Sequence, residues 1–94
     1  MRFLRIEKQY QAESESPRAE SHYVYDVDGQ EVLVAIDGFV FHDWNVTQND
    51  VKQACEAFIE AERARGWSPN KPGHLTLDRQ SIEPIAEKLH WKRK

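Results

Sequence analysis

Two Asp-Gly pairs, Asp28-Gly29 and Asp37-Gly38, punctuate a run of β-branched and aromatic residues extending from His22 to His42. A two-residue hairpin loop needs positive φ, which glycine adopts without a Cβ clash, so the pattern predicts two tight reversals. The expectation is a three-stranded antiparallel meander over residues 22–27, 30–36 and 39–42. Two-residue loops also fix the register. Val27 faces Gln30, Tyr25 faces Val32 and Tyr23 faces Val34. In the second hairpin Ile36 faces Phe39 and Val34 faces Phe41. One sheet face then carries Tyr23, Tyr25, Val27, Val32, Val34, Ile36, Phe39 and Phe41, and it requires a cover. The other face carries His22, Val24, Asp26, Glu31, Leu33, Ala35, Val40 and His42. A solvated face does not ordinarily hold Leu and Val. The N-terminal strand, the last helix or a second copy of the chain is expected to cover it.

At 94 residues the chain is one domain. No apolar run approaches the ~18 residues of a membrane span, so no membrane partner is expected. The opening Met1-Arg-Phe-Leu-Arg5 is too charged for a signal peptide. A single cysteine, Cys55, forms no internal disulfide, which points to a reducing, cytoplasmic setting. The net charge of −3 conceals a segregation. All 16 acids precede residue 88, and four of the 13 bases follow Glu87: Lys88, Lys92, Arg93 and Lys94. Between residues 20 and 62 the only base is Lys52. An acidic body therefore carries a basic tail at 92–94, an asymmetry that bears on partners rather than on fold.

Residues 2–10 read as a strand, in which Leu4 and Ile6 alternate with charges and Phe3 breaks the pattern. Residues 11–21 lack large apolar side chains and read as a flexible loop. Thr47 with Asp50 three residues on resembles a capping box, opening a helix over roughly 48–65. Its buried stripe is Val51, Ala54, Cys55, Phe58 and Ala61. Gly66 is the stop, with Trp67 packing back on the last turn. Leu75 to Leu77 forms a short strand at a sheet edge. Ser81 is the expected N-cap of a second helix over about 82–91. The predicted fold class is α+β: an antiparallel meander of three to five strands with two helices packed on it.

Chemistry is harder to find. His22 and His42, two strands apart, stand about 12 Å from each other in the expected register, too far to share a metal. No metal or cofactor set is expected. His42 and Asp43 are adjacent, but on a strand they point to opposite faces and form no dyad. Cys55 lies on a buried stripe and lacks the exposure a reactive thiol needs. The loop from Trp67 to His74, with Asn70 and Lys71, has site-like chemistry, although its Pro and Gly are accounted for by turning alone. Three functional readings follow. The preferred one is a small non-catalytic binding or regulatory module, self-association included, that meets a basic protein partner through Asp26, Glu31, Asp43, Glu56, Glu60 and Glu62. The alternative is a nucleic-acid-binding module using Lys88, Trp91, Lys92, Arg93 and Lys94, against which the acidic body would repel a polyanion. Third is a small enzyme with His42, Asp43 and the 67–74 loop in one cleft.

Overall fold

The computed structural model describes residues 1–70 and 74–94. The elements are β1 (Arg2–Lys8), β2 (Glu20–Val27), β3 (Gln30–Asp37), α1 (Gly38–Asp43), α2 (Gln48–Ala64), β4 (His74–Leu77) and α3 (Ile82–Lys88). The sheet order is β1-β2-β3-β4. The first three strands are antiparallel and β4 joins β3 in parallel, so the sheet is mixed rather than a pure meander.

The first Asp-Gly reversal forms as its residues dictate. Asp28 and Gly29 have φ of 54° and 82°. Val27 pairs with Gln30, Tyr25 with Val32 and Tyr23 with Val34. The second pair does something else. Asp37 caps a helix, its Oδ1 accepting the Phe39 N–H at 3.0 Å. Asp is as good an N-cap as it is a turn residue. The expected strand 39–42 is therefore α1, which places Val40 and Trp44, four residues apart, in the core. The Ile36–Phe39 and Val34–Phe41 pairs do not form, and neither Val40 nor His42 lies on a sheet face. Because α1 and α2 intervene, the chain returns in the direction it left, and β4 lies parallel to β3.

Tyr23, Tyr25, Val27, Val32, Val34 and Ile36 are fully buried beneath α2 and α3. Phe3 joins them, edge-on to Tyr25 at 5.4 Å. Register shifts between Phe3 and Arg5, and between Ile6 and Lys8, bring both Phe3 and Ile6 to the core side. These bulges are why period-2 alternation fails in β1. On the outer face Val24 and Ala35 are buried and Leu33 half-buried, all apart from the main core. The N-terminal strand flanks this face as its neighbour in the sheet and does not cover it.

The capping box of α2 is complete: Thr47 Oγ1 accepts from the Asp50 N–H, and Asp50 Oδ2 from the Thr47 N–H. Its C-terminus closes through Gly66, at φ 99°, with the Trp67 N–H reaching the Glu62 carbonyl at 3.0 Å. The cap of α3 differs from expectation. Ser81 makes no side-chain cap to the helix; Asp78 instead accepts from the N–H groups of Gln80 and Ser81 and from the Ser81 hydroxyl. The helix ends at Lys88 rather than 91, because His90 turns into the left-handed region at φ 59°. Glu20 and Ser21, expected in the 11–21 loop, belong to β2, and the buried Ser21 hydroxyl accepts the Tyr10 N–H at 2.8 Å.

Candidate functional site

A concavity lies between the two helices that cover the sheet. It is a groove of about 500 Å³. Phe58 and Ile85, both in the core, form its floor. Ala57 and Ala61 wall it on α2 and Pro84 on α3. Its polar rim is Glu62 and Arg65 on one side and Gln80, Ser81 and Lys88 on the other. The sequence builds these walls in two ways. On α2, residues 57, 58, 61, 62 and 65 recur at spacings of three and four and share one flank of the helix. On α3, Pro84 falls in the first turn, where its missing N–H costs nothing. A volume of this size with a mainly apolar lining suits recognition of another molecule's apolar groups. Glu62 and Arg65 pair with each other at 3.1 Å, leaving Lys88 as the rim charge without an ion pair among the described residues.

The acids expected to form one binding surface divide among several places. Asp26 and Glu31 lie on the outer face of the sheet, paired with Arg2 at 3.8 Å and Arg5 at 2.7 Å. Arg5 holds the Glu31 carboxyl below its ordinary pKa. Asp43 belongs to α1 and pairs with Arg79. Glu62 lines the groove. Glu56 and Glu60 are exposed on α2 and enter no ion pair among the described residues. One helical turn apart, they form a like-charge pair that weakens an isolated helix by about 0.2–0.5 kcal/mol.

His42 and Asp43 do meet, contrary to the expectation of opposite faces. In α1 the His42 Nδ1 lies 3.0 Å from Asp43 Oδ1. Asp43 is nevertheless committed elsewhere. Arg79 donates to both its oxygens, at 2.6 and 2.8 Å, and holds its pKa well below the carboxylate range. A carboxylate so engaged is a poor proton acceptor. Arg79 also stacks over Phe39 at 4.0 Å. His74, expected to share a cleft with His42, pairs with Leu33 at the start of β4, whereas α1 follows Asp37. Four strand residues put about 13 Å between those two levels along the strand. Trp67 packs against the core, and the Asn70 N–H is taken by Ser68 Oγ at 3.3 Å. Lys71 lies outside the described residues. Among the described residues no three His, Cys, Asp or Glu side chains converge on a metal position.

The C-terminal segment is docked. The Lys94 N–H donates to the Asp43 carbonyl and the Asn45 N–H to the Lys92 carbonyl. Trp91 packs edge-on to Trp44 at 6.1 Å. Arg93 covers the Trp44 ring at 4.3 Å and pairs with Glu83. The aromatic and the arginine of the basic segment are thus used internally, while Lys88, Lys92 and Lys94 stay exposed.

Sequence reasoning missed the groove and Arg79. Ala57, Ala61 and Pro84 carry no chemical signature; only the pairing of two distant helices gives them one. Against protein-family models, curated proteins and solved structures, the chain gives no match. No helix among the described residues is long and apolar enough to cross a membrane.

Proposed function

We propose that this chain is a small non-catalytic binding module whose groove between α2 and α3 receives apolar side chains of a basic protein partner. The observation that carries the reading is the groove itself, a mainly apolar concavity between two helices with Phe58 and Ile85 at its floor. The groove supplies apolar surface, and its α2 wall is low because Ala57 and Ala61 are small. Elsewhere on α2, outside the groove lining, Glu56 and Glu60 are two exposed carboxylates that enter no ion pair among the described residues. A partner that fills the groove and also wraps round α2 would bring its basic residues to them. Charge placed this way speeds encounter and selects the partner more than it adds affinity.

The test is partner crosslinking in cell extract with wild-type chain and two variants. Ala61→Arg fills the groove from an exposed helical position with only a small loss of helix propensity. Glu56→Lys with Glu60→Lys reverses those two charges. Both are expected to lose the crosslinked species, the charge variant most clearly at low ionic strength. A species that both variants retain, and that is indifferent to salt, contradicts the proposal.

A further inference from the structure

Residues 91–94 are seated against Trp44, just past α1, and against Glu83 of α3. We infer that this seat is a peptide-binding slot held closed by the chain's own residues 91–94. A partner opens it with an extended basic segment carrying Trp and, two residues on, Arg. The inference goes beyond the groove and does not depend on it. Three observations support it. First, residues 91–94 are bound as an extended ligand is bound. The Lys94 N–H donates to the Asp43 carbonyl at 3.0 Å and the Asn45 N–H to the Lys92 carbonyl at 2.9 Å, around an antiparallel bridge of Arg93 with Trp44. Trp91 meets Trp44 edge-on, and Arg93 lies over the Trp44 ring and pairs with Glu83. Main-chain bonds thus come from residues 92 and 94, and side-chain contacts from 91 and 93. An extended peptide adds to a strand edge in the same alternation: its backbone gives affinity and alternate side chains give specificity.

Second, the segment is a unit set off by one joint. Trp91 is half-buried and residues 92–94 are exposed. The joint is His90, whose φ of 59° is disfavoured for a residue that bears a Cβ. The Trp91 N–H closes it on the Ala86 carbonyl at 2.8 Å. Backbone strain of this kind gathers at clamps and switch segments, and here it relaxes when residues 91–94 swing away. Their departure uncovers Trp44, the Asn45 N–H, the Asp43 carbonyl and the Glu83 carboxylate. None of these belongs to a strand of the sheet.

Third, the seat selects its cation. Lys92, Arg93 and Lys94 are consecutive, yet among the described residues Arg93 alone meets both an aromatic face and a carboxylate. A guanidinium serves both, stacking on the ring while it bonds the carboxylate, and an ammonium does not. All 16 acids precede residue 88, so the field of the body draws a basic segment from another molecule as it draws its own. The tethered segment competes at an effective concentration on the order of millimolar, which a partner overcomes by holding the seat more tightly.

The probe is a labelled peptide with the sequence of residues 88–94, blocked at both ends. The full chain is titrated against it by fluorescence anisotropy, with circular dichroism to verify that each variant is folded. Arg93→Glu sets like charges against Glu83 and frees the segment while the seat stays intact. It is expected to bind the peptide at least tenfold more tightly than wild type. Trp91→Ala with Arg93→Ala frees the segment by another route and should act in the same direction. Glu83→Lys with Arg93→Glu restores the internal ion pair, and the gain should be lost. His90→Gly relieves the joint, favours closure and should bind more weakly than wild type. A peptide with lysine in place of its arginine keeps the charge and should bind Arg93→Glu at least fivefold more weakly. Ala61→Arg, in the groove, should leave binding unchanged.

If neither segment-freeing variant binds better than wild type, residues 91–94 do not gate the seat and the inference falls. Should the lysine peptide bind as tightly as the arginine peptide, bulk charge is responsible and there is no slot. If light scattering shows a wild-type dimer that Trp91→Ala with Arg93→Ala dissociates, the segments exchange between copies, and a partner protein is the wrong occupant. Loss of peptide binding in Ala61→Arg would put the peptide in the groove instead and overturn the inference while leaving the groove a binding site.

Discussion

At Gly38 there is no room for a side chain. A Cβ there would lie 2.6 Å from the Pro17 carbonyl oxygen and 2.7 Å from that of Ala19, while the Gly38 N–H donates to Ala19 at 2.8 Å. Both obstacles are backbone, so neither can rotate away. Gly38→Ala is therefore expected to cost about 1–3 kcal/mol, the range for overpacking, read as a lower urea midpoint with unchanged slope. A midpoint equal to wild type would mean that the loop before β2 yields freely. Cys55 makes a second case at this scale. Burial pushes its thiol up to about 12. The thiolate is the reactive form, and at pH 8 almost none exists in the folded chain. An aromatic disulfide reagent should leave Cys55 unlabelled until denaturant unfolds the protein. Prompt labelling of the native chain would show that α2 opens far more readily than its packing implies.

Among the elements, α2 does most to organise the fold, because one of its faces covers the sheet and a flank of it walls the groove. Phe58 serves both, packed in the core and forming the groove floor. Phe58→Ala is expected to cost about 3–5 kcal/mol, and Thr47→Ala, which removes the cap, about 1 kcal/mol. The two should be ranked in that order by chemical denaturation; the reverse order would mean that the helix is held by its end rather than its face. This helix was legible in the sequence because its signals are local: an N-cap pair, a stripe at spacings of three and four, a glycine stop. The first hairpin was legible for the same reason. The Asp37-Gly38 pair was not, since the same two letters suit a tight turn and a helix start. The spacing of Val40 and Trp44 favoured the helix, but the alternation of Phe39 and Phe41 masked it. The groove was illegible on other grounds. It is a relation between Ala57 and Pro84, separated by 26 residues and a strand, and neither residue announces it.

Across the whole molecule, Asp43 ties together parts that sequence order keeps apart. Its carboxylate holds Arg79, in the turn between β4 and α3, and its carbonyl accepts from Lys94 near the C-terminus. With its side chain only 10% exposed, the group loses little of this interaction to solvent. The consequence is a defined acid response. Arg79 lowers the folded-state pKa of Asp43 below the ~3.9 of an unfolded aspartate. The unfolded chain then binds the proton first, so stability rises with pH through this window. The contribution is present in full above about pH 5. It declines as pH falls below 4 toward the folded pKa. Asp43→Asn should cost about 1–2 kcal/mol at pH 7, a charge-assisted bond discounted for the exposure of Arg79. As pH falls from 5 to about 2 the variant should lose less stability than wild type, and the two curves should converge. Some acid slope will persist in the variant. Asp78, whose pKa is lowered by the Ser81 N–H and hydroxyl, keeps its own contribution at the start of α3. Urea denaturation at several pH values measures both curves. If they run parallel from pH 7 to pH 3, the carboxylate is not titrating against its folded-state partner, and the C-terminal segment is held in place by the packing of Trp44 and Trp91 instead.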